Sequence, residues 1–156
     1  MKAHPEIRDM DRVPFFKKIR EAGGFVIQAH PFRVRYYISK IHLSLDFVDA
    51  VEVFNLGDVD HQSRQSYEYA KNLGLPMTAG TDIHSIEGRD VVAGVALTKK
   101  ISTIEELIDE IKSGRAEIAP SDRFERIKEL SLEKKVELET YYLTEKGLMY
   151  TPNYFK

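Results

Sequence analysis

The sequence predicts an α/β fold with parallel strands, on three observations. Short apolar, β-branched runs alternate along the chain with helical stretches. Three of the helical stretches are closed by glycine, at Gly23-Gly24, Gly74 and Gly114. The side chains best suited to chemistry stand where strands end, as they do in parallel sheets and (β/α) barrels.

Asp11 is placed to cap RVPFFKKIREA, with Pro14 tolerated in the first turn. Phe25 to Ala29 (FVIQA) is short and apolar and sits between Gly-Gly and His30-Pro31, which suits a buried strand. Residues 31–46 form a long connection of unassigned structure. DAVEVFN, Asp49 to Asn55, predicts a second strand, and a helix follows from about His61 to Leu73. Pro76 opens a third strand, MTAGTD, and Val91 to Leu97 reads as a fourth. Ser102-Thr103 caps an amphipathic helix with Ile104, Leu107, Ile108 and Ile111 on one face. Glu117 to Ala119 adds a short fifth strand. Beyond Pro120 the character changes to a charged helical stretch and an aromatic-rich tail, so the division is a body of residues 1–119 and an extension of residues 120–156 that packs on the body or on a partner.

At 156 residues the chain is the size of one ordinary domain. With 23 Lys and Arg against 25 Asp and Glu, and a formal charge of -2, nucleic acid is a poor partner. There is no cysteine, so a transition metal must be held by His and carboxylates. No apolar stretch approaches the roughly 20 residues of a membrane span, and MKAHPEIRDMD lacks the apolar core of a secretory signal; a cytoplasmic location is the expectation.

Of five histidines, His4 and His61 lie in polar surroundings and read as surface residues, and His42 in the connection reads as structural. His30 closes an apolar strand, and Pro31 restricts its backbone where a ligand must be held still. His-Pro by itself fits a half-buried strand-end histidine as well as a ligand. Asp82-Ile83-His84 ends the MTAGTD run; in extended backbone Asp82 and His84 project from one face, as two ligands to one ion would. The bland reading is a loop-entry Asp and a surface His. Glu52, between Val51 and Val53, needs a partner if buried: it either orients a ligand histidine or forms a salt bridge to a helix. Asn55 could hydrogen-bond a substrate or cap a turn. Arg33 could hold a phosphate with its planar fork or be a surface residue, Arg35 beside it leaves the choice between the two open, and Arg89 is a weaker candidate of the same kind.

GGFVIQAHPFR, DAVEVFN and GLPMTAGTDIHS, in that order, resemble the third and fourth metal-binding motifs of polymerase-and-histidinol-phosphatase (PHP) phosphoesterases and the strand between them. The resemblance covers about residues 11–115. It implies the second half of a distorted (β/α)7 barrel, parallel strands alternating with helices. It further implies a divalent metal ion (Zn, Mn or Fe), hydrolysis of a small phosphate ester, and His30, Asp82 and His84 as metal ligands. Glu52, Asn55 and Arg33 would support the metal or contact the substrate.

The family's opening His-x-His motif occurs nowhere in this sequence. The expectation is therefore a C-terminal portion of an enzyme, weak or inactive alone, that forms a homo-oligomer or joins an N-terminal half. The alternative is a non-catalytic module of the same descent that acts through oligomerisation or partner binding.

Overall fold

A computed structural model describes residues 11–85, 87, 91–133 and 136–151. His4 and Arg89 lie outside the described residues. The chain runs α1 (Arg12–Glu21), β1 (Ile27–Gln28), β2 (Lys40–Ser44), β3 (Ala50–Asn55), α2 (Asp60–Leu73), β4 (Met77–Gly80), β5 (Gly94–Ala96), α3 (Ile104–Lys112), β6 (Glu117–Ala119), α4 (Ser121–Glu129), β7 (Glu139–Thr144) and β8 (Gly147–Thr151).

Local signals set the helices. Asp11 stands at the N-cap of α1 but its side chain makes no capping hydrogen bond, whereas Gly74 ends α2 at φ 64, where its missing Cβ removes the left-handed penalty. Thr103 and Glu106 form a reciprocal capping box at the start of α3, each side chain accepting from the other's backbone N–H.

Three small sheets follow from the strands. β1, β3 and β4 pair in parallel in the order β1-β3-β4, β2 pairs in parallel with β7 and β7 with β8 antiparallel, and β5 pairs with β6 antiparallel. The α/β class with parallel strands is thus present, whereas the sheets do not close into a barrel. Two further points depart from the sequence reading. The 31–46 connection contains β2, and the aromatic stretch after residue 138 is the β7–β8 hairpin, which extends a sheet through β2. The helix after Pro120 ends at Glu129.

The central strand β3 is covered on both faces, which explains why apolar residues occupy both of them: Ala50, Val51, Val53 and Phe54 are fully buried. Val51, Val53 and Phe54 pack with Phe32, Ile41, Leu43, Tyr69, Phe124 and Ile127 into one core. Tyr69 of α2 crosses that core, and its hydroxyl donates to Ser44 O at 2.7 Å, which meets the polar need of a buried phenol. Among the described residues no helix is long and apolar enough to cross a membrane.

Candidate functional site

The carboxyl ends of β1, β3 and β4 converge, because the three strands run parallel side by side. His30 follows β1, Glu52 and Asn55 belong to β3, and Asp82 and His84 follow β4. Register shifts between Glu52 and Phe54, where the β3 ladder to β4 takes up one extra residue. In a regular strand residues three apart point to opposite faces; one inserted residue reverses that parity. Glu52 and Asn55 accordingly meet, Asn55 Nδ2 donating to Glu52 Oε2 at 3.1 Å.

The same Glu52 oxygen accepts the backbone N–H of His30 at 2.8 Å. Glu52 therefore fixes the main chain at His30. Room for its carboxylate comes from Gly80, where an added Cβ would lie 2.2 Å from Glu52 Oε1. Gly57 is placed likewise: a Cβ there would lie 2.6 Å from Asp82 Oδ2 and 3.2 Å from Arg33 Nη2.

Arg33 ties the three strand ends together. Its Nε donates to Asp58 Oδ1 at 2.5 Å, Nη2 donates to Asn55 Oδ1 at 2.7 Å, and Nη1 lies 2.9 Å from Asp82 Oδ2. The side chain is 8% exposed and that of Asp58 2%, so this is a buried, charge-assisted network. Burial opposes the charge of Arg33, but Asp58 and then Asp82 outweigh it and raise the guanidinium above its ordinary range. Burial likewise pushes the Asp58 carboxyl up, against the pull of Arg33. Asp82 goes the other way: partial burial acts against its ionised form, yet Arg33, then His84 and His30, hold it below the usual carboxylate range. Asp58 was not singled out from sequence. The signal was the question of what partners a strand-end arginine that loses its water.

Asp82 and His84 do come together, with Asp82 Oδ1 3.3 Å from His84 Nε2, but not through an extended strand. β4 stops at Gly80, and Asp82 has φ 58. His30 too has a left-handed φ, 31, a region that His and Asp enter more readily than most residues and that costs of order 1–3 kcal/mol. Both strand-end candidates thus sit on unusual backbone, held by the Glu52 bond at His30 and by Thr81, whose Oγ1 donates to Ala93 O at 2.8 Å and accepts from Ala93 N at 2.7 Å.

His30 lines a cleft with Gln28, Arg33, Lys40 and His42. Among the described residues no three His, Asp or Glu side chains are gathered closely enough to hold a metal ion. The fit to a metal is therefore partial. An ion with bonds of about 2.0–2.1 Å in tetrahedral geometry sets its donors roughly 3.3 Å apart. The Asp82–His84 separation of 3.3 Å matches one such edge, and His84, 84% exposed, is free to turn. The other oxygen of Asp82 is engaged by Arg33. His42 and His61 serve elsewhere, His42 beside Arg12 and His61 3.6 Å from Glu137 at the surface. Arg35 is anchored on Gly57 O.

The chain matches no curated protein and no solved structure at a significant level. Residues 60–116 match the family model described as PHP-associated. That segment runs from α2 through α3 and includes Asp82 and His84, while His30, Arg33, Glu52, Asn55 and Asp58 precede it. The match covers less than half of the chain, and over residues 60–116 the chain is similar to the PHP-associated family, consistent with a C-terminal part of a PHP-domain protein.

Proposed function

We propose that this chain contributes part of the metal centre of a phosphate-ester hydrolase, with Asp82 and His84 as one edge of a divalent ion's donor set and His30 beside them. The observation that carries this reading is the 3.3 Å pairing of Asp82 Oδ1 with His84 Nε2 inside the PHP-associated segment. A bound Zn, Mn or Fe ion would polarise a phosphoryl oxygen and acidify water. Around it, Glu52 would keep the His30 backbone in place, and Arg33 would hold Asp82 ionised and ready to ligate. Arg33 has its guanidinium engaged by three residues, so its contribution to phosphate binding is mainly the positive field of a fixed charge. Two or three donors hold a single ion weakly, and two-metal phosphoester chemistry needs more than these. Hydrolysis by Asp82, His84 and His30 alone would accordingly be near background, and further donors would have to join them.

The test is metal content after loading with Zn or Mn, for the wild type and for His84→Ala. About one ion per chain in the wild type and clearly less in the variant supports the reading; equal, near-zero metal in both overturns it. Hydrolysis of p-nitrophenyl phosphate, measured with and without a polypeptide that carries the family's His-x-His half, then reports whether the remaining donors restore turnover.

A second reading has its own observation. On α3, Ile104 is 60% exposed, and with Leu107, Ile108, Phe25 and Ile27 it lines an apolar groove beside β1, an edge strand of its sheet. Such a face suits docking of a second copy or of a partner segment. The two readings are compatible, because the docked segment could be the one that completes the donor set.

A further inference from the structure

We propose that the pocket between α1 and strands β1 and β2 binds a small amphipathic anion, with a carboxylate at Arg12 and His42, an apolar body between, and a hydrogen-bonding group at Ser44. This proposal does not depend on the metal reading, although Gln28 and His42 line both this pocket and the cleft at His30.

The pocket, of about 240 Å³, follows from the alternation of β2. Ile41 and Leu43 turn into the core, so Lys40, His42 and Ser44 share the opposite face. His42 and Ser44 stand two residues apart, roughly 6.6 Å along the strand. α1 lies over this face and supplies Arg12 and Phe16, with Val48 and Leu143 as further apolar walls.

Two polar features point to a ligand. At one end Arg12 Nη1 lies 2.6 Å from His42 Nδ1. A guanidinium can only donate, so Nδ1 is the acceptor and the imidazole is neutral, with its proton on Nε2. The charge of Arg12 is thus met by a neutral ring; among the described residues no carboxylate lines this pocket and Arg12 forms no salt bridge, while Asp11 lines the adjoining cleft that shares Arg12 and His42. At the other end Ser44 is 6% exposed, and its Oγ has no partner among the described residues. Its backbone is served, N–H by Gln28 Oε1 at 3.0 Å and carbonyl by the Tyr69 hydroxyl at 2.7 Å, so the hydroxyl alone is left over. A buried hydroxyl without a partner is uncommon, because its desolvation is uncompensated. A cationic mouth, apolar walls and a polar inner end are the features by which small-molecule pockets orient a ligand.

The experiment titrates the full chain with 4-hydroxybenzoate, benzoate and neutral 4-hydroxybenzamide by calorimetry or NMR. Saturable binding of 4-hydroxybenzoate is expected below roughly 10 mM. Benzoate, which lacks the inner hydroxyl, should bind about three- to tenfold more weakly, the worth of one hydrogen bond. The amide should be weaker than the acid by a similar factor, having no charge for Arg12. Ser44→Ala should erase the preference for hydroxybenzoate over benzoate, and Arg12→Gln the preference for acid over amide. Ser44→Ala removes an unpaired group and should melt no lower than the wild type, which separates lost binding from lost folding. Absence of saturable binding, absence of either preference in the wild type, or survival of a preference in its matching variant would overturn the proposal.

Discussion

Arg33 and Asp82, one residue group after β1 and the other after β4, meet at 2.9 Å, and through that contact the ends of two non-adjacent strands act as one unit. Arg33 also neutralises Asp58, which is 2% exposed at its side chain. Removing the cation leaves a buried carboxylate without compensation. Arg33→Met is therefore expected to destabilise the fold by about 3–5 kcal/mol, measured by urea denaturation, and Asp58→Asn in the same chain should recover part of the loss. A loss below about 1 kcal/mol for the single variant would mean that water reaches Asp58 and that the network is not a structural tie.

Gly80 has a comparable role without any charge. A methyl group there would lie 2.2 Å from Glu52 Oε1, so Gly80→Ala must displace the carboxylate that serves His30 N–H and Asn55. Losing those bonds should cost about 1–3 kcal/mol and speed amide exchange at His30. An unchanged melting temperature together with unchanged exchange at His30 would show that Glu52 has another rotamer that keeps both bonds.

Stability should depend on pH through His42. Burial, with the charges of Arg12 and Lys40, holds its imidazole below the ordinary value of 6.5. The unfolded chain then takes up this proton at a higher pH than the folded chain. The contribution is fully present above pH 6.5 and is lost as pH falls from there through the lower folded value. The melting temperature should fall on acidification through that window, and His42→Gln should flatten this part of the curve. The depressed carboxyl of Asp82 adds a second loss below its ordinary 3.8, removed by Asp82→Asn.

The apolar face of α3 makes an assembly prediction. Ile104 and Ile108 line the groove with Phe25 and Ile27, and Ile108→Asp places a charge in it. Light scattering should show self-association of the wild type that rises with concentration and is lost in Ile108→Asp. A wild-type chain that scatters as a monomer at all concentrations would refute docking between copies and leave a different partner for this face.

The sequence by itself determined the elements whose signals act over one turn of backbone. The Gly-Gly pair follows the end of α1, Gly74 closes α2 in the left-handed conformation, and Thr103 with Glu106 starts α3. It also marked the strand ends where His30, Glu52, Asn55 and Asp82 gather, since apolar runs and the residues that interrupt them are local. Tertiary structure decided what these residues do there. Arg33 and Asp58 are 25 positions apart, and β2 meets β7 across about a hundred residues, so no local pattern names either partner. The extra residue in β3 that brings Asn55 onto the side of Glu52, and the left-handed turns at His30 and Asp82, arise because neighbouring strands impose a register that each strand alone does not specify.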